Sequence, residues 1–245
     1  MTKNEEKNIE RCLRSVPFAS DILVLDSGSH DRTVEIAKKL GARVFEQPWM
    51  GFGAQKNKAA ELANYDWVLS LDADEALSSD LVQEIETQAR ALKDQTAYRF
   101  PRKSFYLGRW ILHGGWYPDY QVRLYHRQFS RWSEESIHEK IMSHSIETMK
   151  NPIEHLVFRD IHHHIETNNR YSTIQAENHF AKKQRFYFWR LLLKPLIKFF
   201  ECYFVKMGFL DGMPGFFIAV GAAYSVFIRW AKVKELEMKD SKGKK

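Results

Sequence analysis

Cysteine is scarce in this 245-residue sequence, which contains only Cys12 and Cys202. Both lie in segments with a helical pattern, and no secretory signal begins the sequence. We therefore expect two buried thiols in a reducing compartment, and a disulfide framework is excluded. The lack of a cysteine cluster also argues against structural zinc at the histidines of 162–164, which we place in a strand that leads into a helix near Thr167.

Acidic residues are absent between Glu177 and Glu201, where basic residues alternate with large aromatic and aliphatic ones. The basic residues are Lys182, Lys183, Arg185, Arg190, Lys194 and Lys198. Such a mixture is typical of a protein on an anionic membrane surface, since cations attract headgroups and aromatic rings settle at the interface. A solvated helix face that packs on the domain is the alternative. No nucleic-acid recognition module is visible, so we do not expect nucleic-acid binding.

The first half of the sequence alternates between strand and helix patterns, and 44% hydrophobic residues are enough for one sizeable core. The predicted strands are DILVLD (21–26), ARVFEQ (42–47) and DWVLSLDAD (66–74). The predicted helices are NEEKNIERCLRSV, DRTVEIAKKLG, GAQKNKAAELAN and SSDLVQEIETQARAL. This order predicts an α/β fold with a mostly parallel sheet and helices on both faces.

Acidic residues follow two of these strands, at the edge of the sheet where ligands bind. The first strand ends at Asp26, and Gly28 allows a tight turn close to a ligand. Asp72 and Asp74 follow the other strand, and residues two apart project to the same side of an extended segment. They can share a divalent cation, or divide between a sugar hydroxyl and the metal, and such hard oxygen ligands favour Mg²⁺ or Mn²⁺. By itself, however, such a pair of acids is often only solvated.

Long segments over nearly the whole chain resemble one enzyme family. They include TKNEEKNIERCLRSV, ILVLDSGSHDRTVEIAKKLGARV and WMGFGAQKNKAAELANYDWVLSLDADE, followed by GRWILHGGWYPDYQVRLYHR, SIHEKI and KFFECYFVKMGFLDGMPGFFIAVGAAYSVFIRWAK. Together they are similar to family 2 glycosyltransferases with a GT-A fold, and within that family to bacterial lipopolysaccharide core β-1,4-glucosyltransferases. The resemblance implies an inverting, metal-dependent transfer of a hexose, with UDP-glucose as the expected donor.

The same resemblance implies a nucleotide-sugar site in the first half of the chain. Thr2, Asn4 and Glu5 match a loop that lines the nucleotide pocket. Asp26 matches the acid that recognises the uracil and ribose end, and Lys56 matches a basic residue near the diphosphate.

Asp72 and Asp74 match the family's Asp-x-Asp signature, with Asp72 expected at the nucleotide sugar and Asp74 at the metal. A cation that bridges two phosphates neutralises the charge that grows on the leaving nucleoside diphosphate.

An inverting displacement also needs a base within hydrogen-bond reach of the acceptor hydroxyl. The candidates are Asp119, Glu134, Glu135, His138 and Glu139. The family pattern favours the PDYQVRL and HEK positions, so Asp119 and Glu139 are equal candidates, and His138 is expected to contact the metal or a phosphate. For each residue alone, a structural role in an ion pair is the alternative.

Family members begin with an apolar strand before Thr-Lys-Asn-Glu, whereas this sequence begins at Met1-Thr2-Lys3. The first strand of the fold is therefore missing from the sequence, and we expect it to lie upstream. Further along, residues 105–120 combine aromatic residues with glycines, which predicts a mobile lid that binds the acceptor; ordinary packing is the alternative.

The C-terminal part is expected to associate with a membrane. Large apolar residues recur at helical spacing from Leu196 to Met207, which predicts an amphipathic helix. Residues 212–228 carry no charge, but about 17 residues is the lower limit for a spanning helix. We favour two helices in or against the cytoplasmic leaflet, with a single span as the alternative.

The predicted domain limits follow from these regions. A GT-A domain is expected over 1–165, with a nucleotide-sugar half at 1–95 and an acceptor half at 96–165. A membrane-associating helical region follows over 166–235, and a disordered tail over 236–245.

The sequence thus predicts a peripheral enzyme on the cytoplasmic face of the bacterial inner membrane. It is expected to take a UDP-sugar donor and to modify a lipid-linked core oligosaccharide. Two alternatives stay open. An enzyme of the same fold can act on a polyprenyl phosphate or another glycan, or the chain can be a non-catalytic, membrane-bound sugar-nucleotide binding protein.

Overall fold

The computed structural model describes residues 1–133 and 140–243. The elements are α1 (Ile9–Arg14), β1 (Leu23–Asp26), α2 (Thr33–Lys39), β2 (Arg43–Glu46), α3 (Phe52–Leu62), β3 (Trp67–Leu69), β4 (Glu75–Leu77), α4 (Ser79–Gln88), β5 (Thr96–Tyr106), β6 (Arg109–Ile111), β7 (Asp119–His126), β8 (Arg131–Trp132), β9 (Ile141–Met142), β10 (Ser145–Thr148), β11 (Ile153–His155), α5 (Ile161–Ala181), α6 (Phe188–Phe200) and α7 (Gly212–Gly243). The helices and strands predicted for the first 90 residues are all present, and the α/β class is confirmed.

The chain divides into two compact units, each assembled from two stretches of sequence. The first unit comprises Met1–Lys103 and Asp119–His155, and the second comprises Ser104–Pro118 and Leu156–Lys245. This division differs from the predicted limit at residue 165, because residues 104–118 pack with the C-terminal helices. Within the second unit, the buried carboxylate of Asp211 accepts hydrogen bonds from the backbone N–H groups of Leu112 and His113.

The sheets of the first unit are mixed, not mostly parallel as predicted. Strands β1 and β2 form a parallel pair, but in the larger sheet, of order β3-β7-β5-β11-β4, the pairs β3–β7, β5–β7 and β11–β4 are antiparallel. Strand β10 pairs with β5 in parallel. The strand–helix alternation behind the prediction ends after α4, because β5, β6 and β7 follow one another with no described helix between them, and antiparallel neighbours need no helical crossover.

An apolar cavity of about 630 Å³ lies within the first unit, between β1 and β3. Its walls include Val24 from β1, Leu69 from β3 and Ala73 beyond it. Among the described residues, β1 and β3 make no strand pairing with each other. The additional upstream strand stays a prediction.

Helix α4 shows how the apolar pattern builds the core of the first unit. Ser78 caps the helix, since its side-chain oxygen accepts a hydrogen bond from the Leu81 N–H group. Leu81 and Ile85, one turn apart, are buried against Phe100 and Ile153 of the sheet. Each such buried side chain contributes about 1.5–3 kcal/mol to folding.

Helix α5 of the second unit begins at Ile161, so the prediction of a strand at 162–164 is wrong. The cause is the residue before it: Asp160 caps the helix by accepting a hydrogen bond from the His163 N–H group at 2.7 Å. The three histidines therefore lie in the first turn, and His164 accepts or donates a 2.8 Å hydrogen bond with the Tyr106 hydroxyl.

Helix α7 is longer than predicted, because it continues to Gly243 where we expected disorder from residue 236. Charges at helical spacing support this extension, and Lys239 pairs with Glu235 one turn earlier. In the middle of the helix, Trp230 and Val233 are buried with Ala176 of α5.

Residues 105–118 of the segment predicted as a mobile lid belong to the second unit, and two of their aromatic side chains pack there. Tyr106 is buried, and its ring contacts the rings of Trp116, Phe158 and His164. Ordinary packing therefore accounts for Tyr106 and Trp116.

Candidate active site

The predicted nucleotide loop lies beside the end of β1. The Thr2 N–H group donates to the Leu25 carbonyl, and the Thr2 carbonyl accepts from the Ser27 N–H group. The Asn4 N–H group donates to the Ser29 hydroxyl, and the Glu5 N–H group donates to the Thr33 hydroxyl, both at 2.8 Å. These bonds hold residues 2–5 against the loop after β1.

Asp26 organises the turn that follows β1. Its carboxylate is 1% exposed and accepts hydrogen bonds from the N–H groups of Gly28 and Ser29 and from the Ser29 hydroxyl. Gly28 has φ of +86°, a conformation that side chains rarely adopt. Because a buried carboxylate needs such donors, Asp26 shapes the loop, and its contact with a nucleotide stays a prediction.

Lys56 lies on α3 and is almost fully buried. Its ammonium is 4.2 Å from the centroid of the Trp132 ring, a cation–π contact. The neighbouring Asn57 holds Trp132 in place, because its side chain exchanges two hydrogen bonds with the Trp132 backbone. Lys56 is therefore a cation in a fixed position within the first unit.

A chain of five alternating charges connects Asp72 with Asp119. Arg123 of β7 donates to Asp72 and to Glu75, each at 2.7 Å. Arg102 of β5 donates to Glu75 at 2.9 Å and, through two nitrogens, to Asp119. Glu75 and Arg123 are fully buried, so each compensates the charge of the other. Removal of either one would leave an unpaired buried charge and destabilise the fold.

The two arginines of the network favour the charged forms of Asp72 and Glu75. Burial alone raises the pKa of Asp72, but the opposing charges of Arg123 and Lys56 outweigh it and hold that pKa below its ordinary value. The pKa of Glu75 is lowered in the same way, against its burial, mainly by Arg123. Asp72 nevertheless keeps 30% of its side chain exposed, so its anion can reach a ligand.

His155 lies beside Asp74, with 3.2 Å between the imidazole Nε2 and the carboxylate Oδ2. Strand β11 brings it there, because β11 pairs with β4 and sets His155 opposite Glu75. The Asp74 side chain stays 30% exposed. Sequence reasoning missed His155, because nothing in the IEH segment marks it and only the strand pairing reveals its neighbour.

The donor set at Asp74 suits a divalent cation. A carboxylate oxygen with an imidazole nitrogen fits Mn²⁺ well, whereas Mg²⁺ prefers oxygen ligands alone. In the part of the chain that is described, no three His, Cys, Asp or Glu side chains are gathered as a metal cluster. Asp74 and His155 could therefore supply two ligands of such an ion.

Asp119 is the one candidate base that the structure describes. Its Oδ2 accepts from Arg102, and its Oδ1 accepts from the Gln121 amide at 2.9 Å, while 39% of the side chain is exposed. The other candidate bases, Glu134, Glu135 and Glu139, and the predicted metal contact His138 lie outside the described residues.

Comparison with known proteins gives matches over most of the chain. The sequence model of the family described as Glycosyl transferase family 2 matches residues 1–148. A glycosyltransferase of Rickettsia typhi, RT0209, is 30% identical over 98% of this chain and 86% of its own length. The lipopolysaccharide core biosynthesis glycosyltransferase LpsC of Rhizobium meliloti is 27% identical over 94% of this chain and 88% of its own.

Two solved structures were compared with this chain, and both have a low sequence identity and a low TM-score. The S. aureus protein TarS, residues 1–349, has 13% identity and a TM-score of 0.46 over 96% of this chain and 89% of that chain. Glucosyl-3-phosphoglycerate synthase of Mycobacterium tuberculosis, crystallised with Mn²⁺ and UDP-glucose, has 26% identity and a TM-score of 0.34 over 43% of this chain and 41% of that chain.

Proposed function

Since this chain belongs to glycosyltransferase family 2, we propose that it transfers a hexose from a UDP-sugar, with inversion, to a lipid-linked core oligosaccharide. The observation that carries the proposal is the charge network that ends at the partly exposed acids Asp72 and Asp119, with Asp74 and His155 beside it. The name of the relative LpsC, a lipopolysaccharide core enzyme, supports the acceptor class.

The proposed donor is UDP-glucose. Thr2, Asn4, Glu5 and Asp26 would form the nucleoside end of its site, because backbone hydrogen bonds gather these residues around the end of β1. The Lys56 ammonium, fixed over the Trp132 ring, would face the diphosphate. A cation held this way attracts phosphate charge without the entropic cost of ordering a free lysine.

The proposed cofactor is Mg²⁺ or Mn²⁺, held by Asp74 and His155. Bound there, the ion would supply electrostatic stabilisation for the diphosphate that leaves. The protein's own part is to keep the ligands oriented. Strand β11 holds His155 in place, and Arg123 holds Asp72 next to the site.

Asp119 is proposed as the base that accepts the proton of the acceptor hydroxyl, with Glu139 as the equal alternative. Arg102 and Gln121 hold the Asp119 carboxylate from two sides. An oriented carboxylate can take up the proton as the hydroxyl oxygen attacks the anomeric carbon. Arg102 also joins Asp119 to buried Glu75, so the base and the Asp-x-Asp segment belong to one network.

The proposed location is the cytoplasmic surface of the inner membrane, where a lipid-linked acceptor would be met. The C-terminal helices support it, since the stretch from Gly208 to Ser241 is apolar enough to cross a membrane by length and composition, with 28% of its most apolar part buried. Such a helix is also compatible with peripheral attachment.

The proposed function is tested by UDP release in detergent from a panel of UDP-, GDP- and ADP-sugars, with Mg²⁺ or Mn²⁺ and purified core lipid. Release from one UDP-hexose, lost in Asp74→Ala and kept in Asp94→Ala, an exposed acid in a loop, is the expected result. Turnover with a polyprenyl phosphate, and none with core lipid, would show that the acceptor is a polyprenyl phosphate. Binding of the donor without any turnover would favour the non-catalytic binding protein and contradict the proposal.

A further inference from the structure

Helix α6 exposes most of its large apolar residues, whereas a helix of a soluble protein buries them. Seven large apolar side chains lie on its exposed face, each between 49% and 66% exposed. They are Phe188, Trp189, Leu192, Leu193, Leu196, Ile197 and Phe200. Their spacing of three to four residues makes one continuous stripe, which we call the α6 outer face.

The cations of α6 are turned inward. The Arg190 guanidinium and the Lys194 ammonium both lie over the ring of Trp230 of α7, at 4.8 and 4.9 Å from its centroid. Trp230 itself is buried. Two charged groups are thus partly covered by protein while leucines, isoleucine and aromatic rings are exposed, which is the reverse of what water favours.

The apolar surface continues past α6 over the turn that leads into α7. Phe204, Val205, Met207, Phe209, Leu210 and Met213 are each at least 45% exposed. Val205 reaches 76%. An exposed patch of this extent marks an interaction site, since soluble monomers rarely leave so much contiguous apolar surface uncovered.

Polar contacts between α7 and its neighbour α5 argue against α7 as a lone span across a bilayer. Arg229 donates to Gln175 at 2.7 Å, and Lys232 donates to Asn169 and Ser172 of the same neighbouring helix, α5. At the other end, Asp211 is buried among backbone N–H groups. Helix α5 packs along α7 between Gly221 and Val233 and is rich in polar residues, so a span of α7 would carry α5 into hydrocarbon, where such residues are costly.

Basic residues identify the partner as an anionic surface. Lys182, Lys183 and Arg185 are exposed and directly precede the α6 outer face, and no acid lies between Glu177 and Glu201. Cations beside an apolar stripe complement negatively charged headgroups above acyl chains. We propose that the α6 outer face and the adjoining turn lie in the plane of an anionic lipid bilayer, with Lys182, Lys183 and Arg185 on its headgroups.

The purpose of this docking face rests on the proposed function, because a lipid-linked acceptor would lie in the same membrane. An enzyme held in the plane of the surface meets such an acceptor by lateral diffusion. A protein partner at the same face is the competing occupant, and the experiment separates the two.

The test is co-sedimentation of the full chain with vesicles of phosphatidylcholine, with and without phosphatidylglycerol. We expect binding to the anionic vesicles, which high salt weakens, and a loss of about tenfold or more in each of Leu193→Glu and Ile197→Glu, because one buried Leu or Ile contributes about 1.5–3 kcal/mol. Ile165→Glu is the matched control, since Ile165 is 50% exposed and belongs to a different helix, α5. Circular dichroism checks that each variant is folded.

Two further measurements complete the test. Reversal of Lys182, Lys183 and Arg185 to Glu should abolish the preference for anionic vesicles, and alkaline carbonate should release the bound protein. Undiminished binding of Leu193→Glu and Ile197→Glu, or retention in carbonate, would overturn the proposal. So would a wild-type chain that ignores vesicles but changes its oligomeric state when Leu193 is replaced. UDP release by the same variants in detergent, without vesicles, tests the transferase activity separately from membrane binding.

Discussion

The imidazole Nε2 of His155 lies 3.2 Å from the carboxylate Oδ2 of Asp74, although 81 residues separate the two in the sequence. The first residue ends strand β11, and the second immediately precedes β4, which is the neighbour of β11. A rigid sheet thus holds two side chains of different chemistry at one point. A preorganised metal site requires ligands held in this way.

His155→Ala is therefore expected to weaken Mn²⁺ binding in the presence of UDP by about tenfold or more. Even groups that only support metal ligands typically contribute about 10- to 100-fold in affinity. Isothermal titration with Mn²⁺ measures the change. His162→Ala is the control, because His162 is exposed in the first turn of α5. Equal affinity in His155→Ala and the wild type would remove His155 from the site.

Lys56→Met is expected to weaken UDP binding by roughly tenfold while the fold is kept. Methionine preserves the apolar stem that packs near Trp132 but removes the charge that would meet the diphosphate. Fluorescence titration with UDP measures the loss. Lys58→Met, at a side chain 40% exposed, should bind as the wild type does. Unchanged affinity in both variants would place the diphosphate elsewhere.

Asp119→Asn is expected to lower kcat by about 10²- to 10⁴-fold with little change in donor affinity, as for the loss of a general base. The amide keeps the size of the side chain and an oxygen for Arg102. Steady-state UDP release gives kcat, and equilibrium UDP titration gives affinity. If Asp119→Asn retains its rate while Glu139→Gln loses it, the base is Glu139.

Glu75→Gln is expected to lower the free energy of unfolding by about 3 kcal/mol. The change leaves Arg123 and Arg102 without the buried charge between them, and breaking one partner of a buried pair is strongly destabilising. Urea unfolding followed by circular dichroism measures it. Glu86→Gln, an exposed position on α4, should stay within about 0.5 kcal/mol of the wild type. A similar small change at Glu75 would show that the network contributes little.

Stability is expected to fall as the pH drops below about 5. The pKa values of Asp72 and Glu75 are lower in the folded protein than the ordinary values of about 3.9 and 4.3. A carboxyl of this kind contributes stability above its unfolded pKa and loses it as pH falls through the folded value. Urea midpoints at several pH values measure the effect, which should be smaller in Glu75→Gln. Stability that rises on acidification would contradict it.

Much of the fold could be predicted, because its signals are local. The spacing of Leu81 and Ile85 predicts α4, and an apolar run predicts β3. The prediction of a mostly parallel sheet was wrong, since β3 and β4 pair with β7 and β11, distant strands that run antiparallel to them. The helix start at Ile161 was also missed, although Asp160 was available as a capping residue.

The candidate site was predicted in part. Asp72 and Asp74 stood out as a pair at a strand end, whereas His155 and Arg123 carried no signal of their own. Arg123 lies within β7, and a lone arginine in a strand gives no indication that it will bridge two acids. The exposure of the apolar face of α6 could not be predicted either. An amphipathic pattern indicates that two faces of a helix differ, but not which face is covered by protein.

The sequence by itself determined the order of helices and strands, the acids at the strand ends and the membership of the family, because each of these depends on neighbouring residues or on motifs read along the chain. Only the tertiary structure decided that His155 meets Asp74, that Arg102 and Arg123 connect Asp72 to Asp119, and that α6 turns its apolar residues outward. The physical reason is that hydrogen bonds and burial between distant segments depend on strand pairing and helix packing, which no local pattern specifies.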